Sequence, residues 1–202
     1  MISVAILAGG KSRRMGQDKA FLEVGGRPAI ERVIECVNPL SDDVFISTNS
    51  PEKYGQFGLR LVADVYPDKA ALGGIFSAIS VARYPHVLVV ACDLPLLNPA
   101  LLRYLIELAP TADVVAPLVQ PPQPETTHTV YSRRCLPAIE ARLQVGRLRI
   151  IGFFEDVRVR YVAREDIARF DPEFHSFVNM NTPDDWERVK KLVSSSQNTD
   201  IE

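Results

Sequence analysis

Short runs of apolar residues alternate along the chain with stretches of helical spacing. The run 2–7 is apolar at every position but Ser3 and lacks the regular polar alternation of a half-exposed strand, so it predicts a strand covered on both faces. Comparable runs predict strands at 43–48, 59–63, 86–91, 112–116 and 127–131, and helical spacing predicts helices at 28–37, 74–83, 99–108 and 136–143. This alternation predicts a three-layer α/β fold, with a mostly parallel sheet and helices on both faces.

The chain has the length of one α/β domain and no overall charge that would favour a nucleic acid. Of its 202 residues 47% are hydrophobic, and the net charge of −2 gives no global basic field. We expect a single domain over 1–193, followed by a polar tail over 194–202. No apolar run approaches the ~20 residues that cross a bilayer, and the N-terminus lacks a basic leader, so the sequence predicts a cytoplasmic protein without a membrane partner. Three widely spaced cysteines favour neither a disulfide framework nor a zinc site.

The first predicted strand leads directly into a glycine-rich, basic segment over residues 7–19. It reads LAGGKSRRMGQDK and holds four lysine or arginine side chains. A Walker A loop would need a glycine where Ala5 stands, and the glycines of the segment lack the spacing of a dinucleotide-binding loop. A longer loop remains, in which Arg14 and Lys19 could bind the β- and γ-phosphates of a nucleotide, with Asp18 orienting Lys19. The alternative is a surface turn with solvated cations.

Polar residues follow three of the predicted strands. The glycine-rich segment follows the first, Asp64 follows the short third strand, and Asp93 follows the central one. Because the carboxyl ends of parallel strands share one edge, we expect a ligand site there. Asp93 could hold Mg²⁺ between phosphate oxygens, or it could be a loop or capping aspartate. Asn181 could join the same metal or contact the acceptor, although Thr182 and Pro183 also make it part of an ordinary helix start.

Three motifs stand out in combination. They are LAGG at 7–10 with SRRMG at 12–16 and DK at 18–19, ACDLP at 91–95, and FVNMNTP at 177–183. Together they resemble the signature of nucleotidyltransferases of the molybdenum cofactor guanylyltransferase type, and the resemblance continues over nearly the whole chain. Gly9 and Cys92 favour the guanylyl group over the related cytidylyltransferases. One departure is Ala70-Ala71, where the family often has Gly-Pro, and it bears on nucleotide affinity because a glycine there would let the backbone approach the nucleotide.

The resemblance implies a Rossmann-like nucleotidyltransferase fold and a specific reaction. GMP passes from GTP to the phosphate of molybdopterin carrying molybdenum, pyrophosphate leaves, and Mg²⁺ is the cofactor. The N-terminal half would bind GTP and the C-terminal half the acceptor. The residues then expected to act in catalysis are Arg14, Lys19 and Asp93. Those expected to bind the nucleotide are Leu7, Ala8, Gly9, Gly10, Lys19, Asn49, Asp64 and Asp93, and those expected to hold the metal are Asp93 and Asn181.

Alternatives to this interpretation stay open on the sequence. The nucleotide could be CTP, the acceptor could be a sugar, polyol or cobinamide phosphate, and a non-catalytic nucleotide-binding module would keep the same loop. Arg147 and Arg149 could meet a pterin phosphate or be ordinary solvated cations. Besides GTP and molybdopterin as substrates, we expect transient contacts with proteins that deliver molybdopterin or mature molybdoenzymes, and no nucleic-acid partner.

Overall fold

The computed structural model describes residues 1–9 and 18–199, which are built around a seven-stranded sheet. The strands are β1 (Ser3–Leu7), β2 (Glu23–Val24), β3 (Arg27–Pro28), β4 (Val44–Ser47), β5 (Arg60–Val62), β6 (His86–Ala91), β7 (Val114–Leu118), β8 (His128–Ser132) and β9 (Val159–Ala163). The helices are α1 (Ala29–Val37), α2 (Pro51–Tyr54), α3 (Ala70–Val81), α4 (Pro99–Leu108), α5 (Leu136–Gln144), α6 (Arg164–Ala168) and α7 (Pro183–Thr199). Strands β2 and β3 form a separate antiparallel hairpin.

The strand order in the sheet is β5-β4-β1-β6-β8-β7-β9, and every neighbouring pair is parallel except the two that include β8. Strand β8 is reversed because only nine residues, 119–127, connect it to β7, too few for the crossover that a parallel neighbour needs. We call the edge at which the six parallel strands end the carboxyl edge, and the opposite one the amino edge. The predicted mostly parallel sheet is confirmed.

The sheet is buried on both faces, which explains why its central strands are apolar runs rather than alternating patterns. Val4 and Ile6 of β1 pack with α1 and α4 on one face, whereas Ala5 packs with α3 and α5 on the other. A smaller cluster joins Val189 of α7 to Val24 of the β2–β3 hairpin. The predicted three layers, with helices on both faces, are therefore confirmed.

The boundaries of the elements differ from the sequence prediction where periodicity is weak. Strand β6 and helix α4 occupy the predicted residues 86–91 and 99–108. Helix α3 begins at Ala70, four residues before the predicted start, because its first turns hold alanines and glycines that carry no amphipathic pattern. Strand β9 has no counterpart in the prediction, since it lies at the end of the sheet and its residues 160 and 161 are exposed.

The C-terminal helix α7 continues to Thr199, into the segment 194–202 for which the sequence suggests a polar tail. Its start is a reciprocal cap, because Asp185 N–H donates to Thr182 Oγ1 at 3.2 Å while Thr182 N–H donates to Asp185 Oδ2 at 2.9 Å. Within residues 1–9 and 18–199, no helix has both the length and the apolar character needed to cross a bilayer.

Candidate functional site

The carboxyl edge gathers the segments that follow β1, β4, β5 and β6. Backbone hydrogen bonds continue past the strand ends, from Ala8 N–H to Ser47 O at 2.9 Å and from Cys92 N–H to Leu7 O at 3.1 Å. Residues 8–9, 48–49, 63–64 and 92–93 are thereby held side by side at this edge. The predicted convergence of polar groups after the strands is thus present, while Gly10 and Arg14 lie outside the described residues.

Lys19, Asp93 and Asn181 meet at the centre of this edge. Lys19 Nζ donates a hydrogen bond to Asn181 Oδ1 and lies 3.5 Å from Asp93 Oδ2. The side chains of Lys19 and Asp93 are each 19% exposed, so the ion pair is largely withdrawn from water yet open on one side. Met180 N–H donates to Asp93 O at 3.3 Å and joins the two segments by their backbones. Three residues from distant parts of the sequence therefore form one polar cluster.

Asn181 belongs to this cluster although it also lies at a helix start. Its backbone N–H donates to Asp185 Oδ2 at 3.1 Å, as part of the cap of α7, and this leaves its side chain free to accept from Lys19. The preceding Phe177 stacks on the buried ring of His128, with 4.7 Å between the centroids. Burial lowers the pKa of His128 to about 4, so its ring is neutral at physiological pH. The two sequence interpretations of Asn181 are thus compatible.

Asn49 and Asp64 form a reciprocal pair beside the end of β4. Asn49 Nδ2 donates to Asp64 Oδ2 at 2.7 Å, and Asp64 N–H donates to Asn49 Oδ1 at 2.9 Å. Burial raises the pKa of Asp64, and the hydrogen bond from Asn49 offsets this only in part. A Cβ placed on Gly74 would lie 3.6 Å from Asp64 Oδ1, so the glycine packs directly beside that oxygen.

The segment that leads into α3 is tightly packed and strained. A Cβ on Gly73 would lie 2.8 Å from Tyr66 O, so this position requires glycine. Ala70 has φ of +50° and Asp68 has φ of +60°, both in the left-handed region that costs a residue with a Cβ roughly 1–2 kcal/mol. Ala70 therefore takes a glycine-like conformation at the position where the sequence departs from the related family.

Asp18 has partners other than Lys19. Its Oδ1 accepts from Ala20 N–H at 3.3 Å, and its Oδ2 accepts from Tyr54 Oη at 3.2 Å and from Lys53 Nζ at 3.3 Å. Asp18 thus caps the turn that begins with Lys19, whereas the Lys19 side chain points to Asp93 and Asn181, so a direct orienting contact from Asp18 stays a prediction. No sequence motif singles out Tyr54, which lies 36 positions from Asp18.

The loop 119–127 brings the C-terminal half to the same edge. Ala91 N–H donates to Thr127 O at 3.2 Å, next to the end of β6. A cavity of about 220 Å³ lies at this loop and is lined by Gln123, Pro124, Thr126, Arg149, Ile150 and Ile151. Both arginines are exposed, and Arg149 lines the cavity whereas Arg147 does not; the backbone N–H of Arg147 donates to Arg142 O. Within the described ranges, no group of three or more histidines, cysteines or acidic residues is arranged to hold a metal.

The sequence matches a family model and known relatives over most of its length. Residues 4–158 match the model of the MobA-like NTP transferase domain. A probable molybdenum cofactor guanylyltransferase of Pelotomaculum thermopropionicum is 39% identical over 193 residues, which cover 95% of this chain and 93% of that protein. The molybdenum cofactor guanylyltransferase of Desulfosudis oleivorans is 34% identical, over 95% of this chain and 96% of the relative.

Solved structures show the same similarity at the level of the fold. Molybdopterin-guanine dinucleotide biosynthesis protein A of Archaeoglobus fulgidus superimposes with a TM-score of 0.85 at 26% identity, over 96% of this chain and 100% of that one. A 2-C-methyl-D-erythritol 4-phosphate cytidylyltransferase of Thermus thermophilus shares the fold at a TM-score of 0.71 and 20% identity, over 96% and 98% of the two chains. The chain is a nucleotidyltransferase with a MobA-like NTP transferase domain, and it belongs to the molybdenum cofactor guanylyltransferase family.

Proposed function

We propose that this chain transfers GMP from GTP to the terminal phosphate of molybdopterin carrying molybdenum, with release of pyrophosphate. The observation that carries the proposal is the Lys19–Asp93–Asn181 cluster, next to the Asn49–Asp64 pair on the carboxyl edge. One group can neutralise phosphate charge and the other can accept hydrogen bonds from a nucleobase. A bound nucleoside triphosphate needs both groups close together on one edge.

The Asn49–Asp64 pair is the proposed guanine contact. Guanine presents N1–H and an amino group as adjacent donors, a pattern that cytosine and adenine do not reproduce. Asp64 Oδ2 already accepts from Asn49, while Oδ1 accepts no hydrogen bond from the described residues, so this oxygen is proposed to accept from the base. The backbone of Leu7, Ala8 and Gly9 is proposed to line the same pocket, since it ends the neighbouring strand β1.

The phosphates are proposed to lie along the Lys19 side of the site. Lys19 can bind the β- and γ-phosphates and stabilise the negative charge that grows on pyrophosphate as it departs. Gly10 and Arg14 are proposed to act with it, Gly10 through its backbone and Arg14 through its guanidinium. The Lys19 ammonium group is held at this edge by the carboxylate oxygen of Asp93 and the amide oxygen of Asn181.

The donor set suits a magnesium ion. Asp93 Oδ2 and Asn181 Oδ1 both face the Lys19 ammonium, so their oxygens already surround one cation, and oxygen ligands are those that Mg²⁺ prefers. If these oxygens held Mg²⁺, the Lys19 ammonium would turn from them to the phosphates. Phosphate oxygens and water would supply the remaining ligands, as is usual for Mg²⁺ in nucleotide enzymes. Bound by Asp93 and Asn181, the ion would offset negative charge on the phosphate oxygens.

The chemistry requires positioning rather than a protein nucleophile. The acceptor phosphate oxygen attacks the α-phosphorus of GTP in line, a new P–O bond forms, and the bond from the α-phosphorus to the bridging oxygen breaks. Both electrons of that bond leave with pyrophosphate. A phosphate monoester is already largely ionised near neutral pH, so no general base is required, and no covalent enzyme intermediate forms.

The acceptor is proposed to bind in the C-terminal half. The loop 119–127 and the cavity at Arg149 adjoin the end of β6, which places them beside Asp93 rather than beside the Asn49–Asp64 pair. An acceptor held there approaches the α-phosphate from the side opposite to the nucleobase pocket. Proteins that deliver molybdopterin or receive the product would make their transient contacts at this side of the edge.

An assay with each nucleotide tests the proposal. Purified protein is incubated with Mg²⁺, molybdopterin and one of GTP, CTP, ATP or UTP, and pyrophosphate release is followed together with chromatography of the pterin product. We expect release with GTP and a guanine dinucleotide product. The Lys19→Gln variant, prepared in parallel, measures the background from contaminating enzymes. Release with CTP alone would place the activity with the cytidylyltransferases, and no release with any nucleotide would contradict the enzyme proposal.

A further inference from the structure

The residue that caps the turn carrying Lys19 accepts a hydrogen bond from a buried tyrosine. Asp18 caps the 3-10 turn Lys19–Phe21, because its Oδ1 accepts from Ala20 N–H. Its other carboxylate oxygen, Oδ2, accepts from the hydroxyl of Tyr54 at 3.2 Å. One carboxylate therefore joins the start of the turn to the end of helix α2.

Tyr54 is suited to a fixed role because its own position is fixed. Its side chain is 1% exposed, and its ring lies 5.3 Å from that of Phe21 and 6.4 Å from that of Phe57, measured between centroids. Burial, together with the nearby Cys92 and Asp18, raises the pKa of Tyr54, so its hydroxyl stays protonated and can donate. Lys53 also contacts Asp18, but its side chain is 48% exposed, so this ion pair holds the carboxylate less firmly than the buried tyrosine does.

The same short stretch of chain also reaches the Asn49–Asp64 pair. Asn49 lies two residues before Pro51, where α2 begins, and Tyr54 ends that helix. Asn49 and Asp64 hold each other by two hydrogen bonds, at 2.7 and 2.9 Å, that do not involve Tyr54, so loss of the tyrosine hydroxyl should leave this pair in place.

We propose that Tyr54 is a positioning residue for nucleotidyl transfer, whose hydroxyl acts through the Asp18 carboxylate to fix the turn from which Lys19 reaches the phosphates. The inference rests on the proposed function for the role of Lys19. It adds a residue outside every motif of the sequence, and it explains why the carboxylate of Asp18 is bonded to α2 and to its own turn rather than to Lys19.

The Tyr54→Phe substitution isolates the hydroxyl, because the aromatic packing with Phe21 and Phe57 is kept. We expect kcat to fall about tenfold and the affinity for pyrophosphate, measured by calorimetry with Mg²⁺ present, to fall by a similar factor. The affinity for guanosine, which carries no phosphate, should change less than about twofold. A tyrosine that only stabilised the fold would lower the melting temperature without separating pyrophosphate from guanosine.

Tyr84→Phe is the matched control. Its hydroxyl also donates to an aspartate, Asp42 Oδ1 at 2.8 Å, but at the amino edge of the sheet. This variant should keep the wild-type kcat and both affinities. A second test combines Tyr54→Phe with Asp18→Ala, and the double variant should be no slower than Asp18→Ala alone, because both changes break the same connection.

The outcomes separate the inference from the proposed function. Wild-type kcat and pyrophosphate affinity in Tyr54→Phe, or additive losses in the double variant, would overturn the role of Tyr54. If the wild-type protein released no pyrophosphate with any nucleotide, the proposed function would fail, whereas the calorimetric comparison with pyrophosphate would still decide whether Tyr54 positions Lys19.

Discussion

At the amino edge of the sheet, Asp43 accepts hydrogen bonds from Ser3, Arg60 and the backbone of Arg83. At the carboxyl edge, Asp64 has one side-chain partner within residues 1–9 and 18–199, which is Asn49. Burial disfavours ionisation of Asp43, but its hydrogen bonds outweigh this and lower its pKa. Burial raises the pKa of Asp64 instead, because Asn49 offsets it only in part. The pKa values of these two carboxyl groups are thus shifted in opposite directions.

Other residues extend this contrast. Asp113, at the amino edge, is held by the Arg158 guanidinium and backbone, which lower its pKa. At the carboxyl edge, Ala70 is left-handed and the buried Ser47 Oγ has no hydrogen-bond partner among the described residues. One edge thus satisfies its polar groups and stabilises the fold, while the other leaves them incompletely satisfied, as binding sites commonly do. The predictions below test this division.

The largest difference should appear in activity when one aspartate is neutralised at each edge. We expect Asp93→Asn to lower kcat at least about a hundredfold, because it removes the charge at the Lys19 cluster, with little change in melting temperature. Asp113→Asn should remain as active as the wild type at 25 °C despite its lower stability. Steady-state rates and thermal melts of both variants measure this, and similar activity losses in the two would remove the functional distinction between the edges.

Stability should show the reverse order. Asp43→Ala breaks hydrogen bonds with Ser3, Arg60 and the Arg83 backbone, so we expect the free energy of unfolding to fall by about 2–4 kcal/mol. The neighbouring Asp42 is exposed, and Asp42→Ala should change the free energy of unfolding by less than about 0.5 kcal/mol. Urea titrations of both variants give these values, and a loss below about 1 kcal/mol for Asp43→Ala would show that this network contributes little.

Relief of strain at the carboxyl edge should produce a smaller, stabilising effect. Ala70→Gly removes the left-handed penalty of alanine, partly offset by the greater freedom of glycine in the unfolded chain, so we expect a gain of about 0.5–1 kcal/mol. Ala71→Gly is the control, since Ala71 lies inside α3 and glycine there should cost about 1 kcal/mol. Thermal melts decide between the two signs, and equal losses would contradict the strain at Ala70.

The smallest expected effect is a pH-dependent one at Asp64. Because the folded-state pKa of Asp64 is raised, its ionisation opposes folding once the pH exceeds the unfolded value near 4. Asp64→Asn should therefore be more stable than the wild type at pH 7, and the difference should vanish as the pH falls below that value. Unfolding measured from pH 3 to pH 8 tests the sign, and a variant less stable at pH 7 would contradict it.

Much of the sheet was predictable from the sequence because its strands are buried on both faces. Strand β6 is a continuous apolar run, and its ends are marked by polar residues, so its bounds follow from composition alone. Strand β9 offers no such signal, because exposed Arg160 and Tyr161 replace the apolar run at the end of the sheet. The reversal of β8 depends on the length of its connection rather than on its own residues.

The sequence predicts which residues share the carboxyl edge but not the contacts between them. Asp64 and Asp93 follow predicted strands, so the topology alone places them on one edge. The bond between Lys19 and Asn181 joins residues 162 positions apart, and no local pattern encodes it. The hydrogen bond between Tyr54 and Asp18 is likewise not encoded by a local pattern. The sequence gives no reason to distinguish Tyr54 from an ordinary buried core residue.

The reversed strand β8 has a consequence for how relatives of this chain could diverge. Because β8 runs against its neighbours, the loop 119–127 returns to the carboxyl edge as a simple hairpin that carries no crossover helix. A hairpin loop can lengthen or change sequence at little entropic cost while the strands on either side keep their pairing. If the acceptor binds at this loop, as proposed, exchange of the loop would change the acceptor while the pairing of the sheet stayed the same.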